Sequence, residues 1–347
     1  MTDNLTILDC TLRDGGYYNS WNFNQKLVER YLRAADRSGI DVVEIGFRFF
    51  AKDEFLGPYA YSTDNFIRTL ELPKRAAIAV MSNAGDLINF PDGPQAAVDF
   101  LYNREKDSPV SIVRLATHLH EVTDLRPVIE RLKELGYTVG LNLMQVSRAL
   151  DVILSSLAAE IHEWGLVDVL YFADSLGNMD EHSIRNCIDS LAKNWSGPIG
   201  IHAHNNTERA LTNTLAAYDQ KATWLDATML GMGRGAGNAR MEFLLCEMGR
   251  GESKQYDADA IASVVLDDFQ GLQNEYGWGT NLLYYMSAQD DIHPTYVQTM
   301  YNDMGYDLPD VMNAMARLKT MKGHSYSRDG MLQAIKGSDS DGEGSWS

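Results

Sequence analysis

Over most of the chain, short apolar runs alternate with longer amphipathic stretches. The runs fall at 5–11 (LTILDCT), 42–47 (VVEIGF), 75–82 (RAAIAVMS), 110–117 (VSIVRLAT), 138–144 (TVGLNLM), 167–174 (VDVLYFAD), 198–204 (PIGIHAH) and 224–230 (WLDATML). Their length and β-branched content predict strands. Stretches such as 24–37, 124–135, 151–164, 180–193 and 207–219 predict helices, and Asp124, Asp151, Asp180 and Thr207 stand where N-caps belong. The link between the third and fourth strands is less regular, with a turn at Asp92-Gly93-Pro94. Repeated strand–helix units over about 250 residues predict an α/β fold with a parallel sheet closed into a (β/α)8 barrel, a TIM barrel.

From residue 252 the pattern changes to helical stretches with aromatic clusters, as in EYGWGTNLLYYM (275–286). The expected organisation is a catalytic barrel over 1–251, a C-terminal helical region over 252–336, and a disordered acidic Gly/Ser tail over 337–347.

Composition narrows the function. The 347 residues carry 48 acidic and 30 basic side chains, a net charge of −18, which disfavours nucleic acid because phosphates need a basic footprint. No apolar run is long enough to span a membrane, and the N-terminus lacks a signal-like pattern, so a cytoplasmic protein without a membrane partner is expected. Cys10, Cys187 and Cys246 are far apart, which suits a reducing compartment and buried thiols better than zinc or disulfides.

Catalytic groups in a barrel sit at the C-terminal ends of its strands. There this chain places Arg13-Asp14, Glu44, Asn142, Asp174-Ser175, HAHNN (202–206) and GMGRGAGN (231–238). Strand side chains at i and i+2 share a face, so His202 and His204 project together. Asp14, two strands away once the barrel closes, completes a three-ligand face. Mixed nitrogen and oxygen ligands suit Mn²⁺, Mg²⁺, Co²⁺ or Fe²⁺ better than a closed structural zinc site. Asn238 can add an oxygen. Arg13 beside such a metal forms a pocket for a 2-oxo acid, where it meets the negative charge of an enolate. Gly233 and Gly235 let backbone approach a ligand closely. Glu44, Asn142, Asp174 and Ser175 complete the expected substrate contacts.

TLRDGG (11–16), HAHNN (202–206) and GMGRGAGNA (231–239) together resemble the DRE-TIM metallolyases. That superfamily includes 4-hydroxy-2-oxovalerate aldolase, HMG-CoA lyase, 2-isopropylmalate synthase and homocitrate synthase. VRLATHLHEVTD (113–124) and YFADSLGNM (171–179) most resemble its aldolase branch. The resemblance implies that Asp14, His202 and His204 ligate a divalent cation, Mn²⁺ or Mg²⁺ foremost, with Co²⁺, Fe²⁺ or Zn²⁺ as alternatives, and that Asn238 approaches it. It implies that Arg13 stabilises a pyruvate-type enolate during cleavage of a 4-hydroxy-2-oxo acid to a 2-oxo acid and an aldehyde.

Two departures stand out. The aldolases carry a catalytic histidine where this chain has Tyr17, so the acid/base is either Tyr17, with its pKa lowered by nearby cations, or one of His118, His120 and His293. The segment 276–298 only loosely resembles the domain that docks an aldehyde dehydrogenase, so that partner does not follow. A homo-oligomer is compatible with the sequence. The competing readings are a Claisen-type acyl-CoA/2-oxo acid synthase and a non-catalytic binding barrel. The synthases commonly have a glutamate-glutamine pair where this chain has Gly16-Tyr17. Intact Arg13, Asp14, His202 and His204 argue against a binding barrel.

Overall fold

The structure, a computed structural model, describes residues 5–249 and 255–336. The expected boundary at 251/252 and the tail over 337–347 lie outside the described residues. Eight parallel strands close in chain order: β1 (Thr6–Asp9), β2 (Val42–Phe47), β3 (Ala77–Asn83), β4 (Ile112–Thr117), β5 (Thr138–Leu143), β6 (Val169–Asp174), β7 (Ile199–Ala203) and β8 (Trp224–Ala227). Closure runs from Thr6 opposite Trp224 to Asp9 opposite Ala227.

Alternation along the strands sorts their side chains. Ile7, Val43, Ile45, Val113, Leu141, Phe172, Ile201 and Leu225 pack into the main core with the surrounding helices. Leu8, Val42, Ala79 and Ile112 form a smaller cluster with Cys10. Two residues further along β2 and β4 the same face turns charged, with Glu44 and Arg114, and His202 of β7 and Asp226 of β8 are buried as well. Each buried aliphatic contributes roughly 1.5–3 kcal/mol, so stability comes mainly from the helix-facing side, and the upper interior is left for polar chemistry.

The helices begin where capping chemistry allows, not always where the sequence pattern places them. Asn24 caps Gln25–Ser38 by accepting the Lys26 and Leu27 N–H groups, and Asp180 caps Glu181–Ala192 through the Ser183 N–H. Asp151 is instead the first residue of Asp151–Trp164, and Asp124 lies within the turn Thr123–Leu125. Thr207 donates its hydroxyl to the Gly177 carbonyl, while the helix starts later, at Ala210–Asp219. The irregular link between β3 and β4 holds Ala84–Ile88 and Pro94–Leu101, the latter with proline in its first turn.

Beyond β8, Tyr256, Ile261, Val264, Phe269 and Trp278 join the barrel core. A second core gathers Tyr284, Ile292, Tyr296, Met300, Val311 and Leu318, and it includes Ala236 from the loop after β8. The helices of this second core therefore pack on the loop face of the barrel where the expected site lies, whereas Asp259–Val264 packs against Gln25–Ser38. Among the described residues, no helix is long and apolar enough to cross a membrane.

Candidate active site

The first strand is shorter than its apolar run because Asp9 turns the chain. Its Oδ1 accepts the Thr11 N–H at 2.8 Å and the Tyr31 hydroxyl at 2.6 Å, and Thr11–Asp14 coils into one helical turn. Arg13 and Asp14 are presented from that turn, not from an extended strand end. Gly16 is required by close approach, since a Cβ there would lie 2.0 Å from the Trp21 ring. Trp21 in turn donates its indole N–H to the Arg13 carbonyl at 2.8 Å.

A buried chain of charges then runs around the top of the barrel. Asp14 Oδ1 accepts from Arg13 Nη1 at 2.6 Å, and Arg13 Nε donates to Glu44 Oε2 at 2.8 Å. Arg114 Nη1 reaches both Glu44 oxygens at 3.2 Å, and its Nη2 donates to Asp226 Oδ2 at 2.6 Å. The same Asp226 oxygen lies 3.0 Å from His202 Nδ1, and His202 Nε2 lies 3.7 Å from Asp14 Oδ2, which brings the chain back to its start. Asp226 thus fixes the His202 tautomer, with Nδ1 protonated and the Nε2 lone pair aimed at Asp14.

Glu44 was expected to touch substrate. It is fully buried, and its carboxylate is committed to Arg13 and Arg114, so it positions Arg13. Asp174 is also turned inward: its oxygens accept the Asn178 and Met179 N–H groups at 3.1 and 3.2 Å, and burial pushes its carboxyl up to about 7.

Asp14, His202 and His204 offer ligand atoms that all lie within 4.8 Å of one another. Buried polar atoms test whether a cation fits there. His202 Nε2, His204 Nδ1 and Asn238 Oδ1 have no hydrogen-bond partner, and Asn238 Nδ2 donates to Asp14 Oδ2 at 2.5 Å. Unpaired buried acceptors are costly unless something fills them, and this donor set suits a divalent cation. Burial would raise the Asp14 carboxyl, but the Arg13 guanidinium beside it holds it well below the usual range. Burial keeps His204 neutral, the form a metal requires. Gly233 completes the cradle, because a Cβ there would sit 2.6 Å from Asp14 Oδ2. Cys10, His202 and Asp226 also cluster, but burial holds the Cys10 thiol protonated and Arg114 already neutralises Asp226.

A cavity of about 270 Å³ has Tyr17, His118, Gln145, Ser175, Arg234 and His293 among its walls. Of the expected substrate contacts, only Ser175 lines it. Asn142 is buried outside the lining, and Gly235 faces away, its N–H donating to Gln298 Oε1 at 3.0 Å. Gln298 also donates to the Tyr17 carbonyl at 3.0 Å, so one C-terminal side chain ties the first and last catalytic loops together. Burial raises the Tyr17 phenol despite Arg234 and Arg13, so it keeps its proton, contrary to the lowered pKa expected for a base. Burial keeps His118 and His293 neutral. His293 Nδ1 accepts the Thr295 N–H at 3.3 Å, which leaves Nε2 as its N–H donor. His120 stacks on His118 outside the lining.

Arg114, Asp226, Arg234 and Gln298 escape a reading by strand-end position. The signal for two of them was a lone charge inside an apolar run, as in VSIVRLAT and WLDATML.

Fold and site together define a (β/α)8-barrel enzyme with a two-histidine, one-carboxylate cluster beside a buried guanidinium. The HMGL-like family profile matches residues 111–265, and the chain belongs to this family of DRE-TIM barrels. The 4-hydroxy-2-oxovalerate aldolase 2 of Rhodococcus opacus is 31% identical over 242 residues, covering 69% of this chain and 67% of that protein. The oxaloacetate decarboxylase of Mycobacterium tuberculosis is 26% identical over 279 residues, 76% of each chain. The crystal structure of the N-terminal domain of a Bacteroides vulgatus protein assigned as an aldolase superposes with a TM-score of 0.76 at 30% identity, covering 89% of this chain and all of that one.

Proposed function

We propose that this protein is a divalent-metal-dependent aldolase that cleaves a 4-hydroxy-2-oxo acid into pyruvate, or a related 2-oxo acid, and an aldehyde. The observation that carries this reading is the set of unpartnered buried atoms on His202, His204, Asn238 and Arg13 Nη2 beside Asp14, in a protein whose cavity walls include the proton carriers Tyr17, His118 and His293. Asp14, His202 and His204, with the Asn238 oxygen, would hold Mn²⁺ or Mg²⁺, which supplies Lewis-acid polarisation of the 2-oxo group.

The chain's own groups do the rest. The substrate 4-hydroxyl gives its proton to a base as the C3–C4 bond breaks. The bonding pair moves into the enolate, the aldehyde departs, and C3 then takes a proton back from the protonated base. Arg13, held by Glu44 and Asp14, offers its free Nη2 N–H to the enolate oxygen. Tyr17, being protonated, serves as a donor to the 4-oxygen, as does His293 through Nε2. His118 is the base: its ring lines the cavity, and burial keeps it neutral at physiological pH. Removing an imidazole base costs about 10²–10⁴-fold in rate. His118→Ala is therefore expected to lower kcat within that range, and Tyr17→Phe to keep the wild-type pH profile with a smaller loss. Because His118 must be unprotonated, wild-type kcat should fall toward acid pH. A Tyr17→Phe enzyme without that acid limb would reverse the assignment.

Pyruvate C3 proton exchange, followed by NMR in D₂O, tests enolate formation without any aldehyde. Wild type with Mn²⁺ should exchange. Arg13→Lys should lose roughly 10²–10³-fold, since a point-charge ammonium cannot reproduce the planar fork. Wild-type exchange in the lysine variant would remove Arg13 from this role.

A further inference from the structure

The cavity contains a cation that the cleavage chemistry leaves unused. Arg234, in the loop after β8, is half-buried, with its guanidinium 5.4 Å from the centre of the Tyr17 ring. Its Nε is buried without a partner, and no ion pair reaches it among the described residues. The two carboxylates in the cavity wall are engaged elsewhere: Glu121 accepts the His118 N–H at 2.8 Å, and Asp86 accepts from Asn83 at 3.3 Å. Arg234 contributes to the electrostatic setting of Asp14, Tyr17, His118, His204 and His293, so it stands within range of both the metal cluster and the proton carriers.

A partly desolvated guanidinium without a counter-ion is expensive to keep. Its planar fork matches a carboxylate or phosphate, whereas the methyl group of a small aldehyde gains nothing beside it. The enolate half of the substrate is already served by Arg13 and the metal ligands. Arg234 is left for the other end.

We propose that the aldehyde half of the substrate carries an anionic group, a carboxylate or a phosphate, that is seated on Arg234. This rests on the aldolase reading above and names its substrate class. Bond-making and bond-breaking are unchanged: C3–C4 cleaves, the 4-hydroxyl proton goes to the base, and the released aldehyde keeps its anion.

Pyruvate release is measured, with Mn²⁺, from three substrates that share C1–C4: the pyruvate adducts of glyoxylate, of glyceraldehyde 3-phosphate and of acetaldehyde. Wild type should favour one of the two anionic adducts over the uncharged one by at least about 100-fold in kcat/KM, and which one it favours separates carboxylate from phosphate. In Arg234→Gln that preference should collapse, mostly through KM, and Arg234→Lys should restore part of it. Equal or better cleavage of the acetaldehyde adduct by wild type would overturn the proposal, and so would a preference that survives Arg234→Gln. Pyruvate C3 exchange in the same wild-type sample separates the two levels. Exchange without anion preference overturns the Arg234 proposal alone, whereas no exchange and no cleavage brings down the aldolase reading and the proposal together.

Discussion

Arg114→Leu is expected to remove about 3–5 kcal/mol of folding stability, the cost of breaking a buried ion pair from one side. Arg114 lies beneath the site with both its carboxylate partners, Glu44 and Asp226, fully enclosed. Leucine fills part of the space but leaves two buried carboxylates, with Arg13 alone holding Glu44. The pH dependence separates this from simple loss of packing. In wild type, burial would raise the Asp226 carboxyl, but Arg114 and the His202 hydrogen bond lower it overall. A depressed carboxyl contributes stability above its unfolded value near 4 and loses it only as pH falls through the folded value. Wild type should therefore hold this contribution from about pH 5 to pH 8. Without Arg114, burial wins and the folded value rises, so the variant should be relatively more stable at the lower pH. Urea unfolding at the two pH values reads both effects. A loss below about 1 kcal/mol, or one independent of pH, would show that the charges relax into water.

That buried chain also marks where the sequence was legible and where it was not. The length and β-branched content of the apolar runs reveal all eight strands, because each strand buries a helix-facing row of Ile, Val, Leu and Phe. Same-face spacing on one strand brings His202 and His204 together, and barrel closure brings Asp14 beside them. Legibility stops where the answer depends on contacts across the barrel. Glu44 reads as a substrate contact until Arg114, 70 positions away, is seen to hold it. Asp174 reads the same way until its oxygens are seen capping the next turn. The Tyr17 phenol moves upward for a similar reason: its neighbours are cations, as expected, but the burial around it outweighs them. The end of β1 was missed because Asp9, inside an apolar run, captures the Thr11 N–H and converts strand into helical turn.

His202→Ala is expected to abolish both metal-dependent turnover and the stabilisation that a bound cation confers. The imidazole Nε2 is buried, unpartnered and oriented by Asp226 through Nδ1, so alanine deletes a ligand whose direction the fold has fixed. A cation that binds the folded chain at 100 times its Kd adds about 2.7 kcal/mol, so wild type should melt at a higher temperature with Mn²⁺ than with EDTA. His202→Ala should lose most of that shift while its EDTA-treated form still unfolds cooperatively. Asp226→Asn grades the result, because the His202 ligand remains while the carboxylate that holds its Nδ1–H is replaced by an amide. Loss of such an outer partner typically costs about 10–100-fold in metal affinity. Elemental analysis should then rank metal content as wild type, Asp226→Asn, His202→Ala, in falling order at limiting Mn²⁺. Full occupancy in His202→Ala would place the cation elsewhere. Equal affinity in wild type and Asp226→Asn would leave the metal site intact but detach it from the charge chain that runs through Arg114 to Arg13.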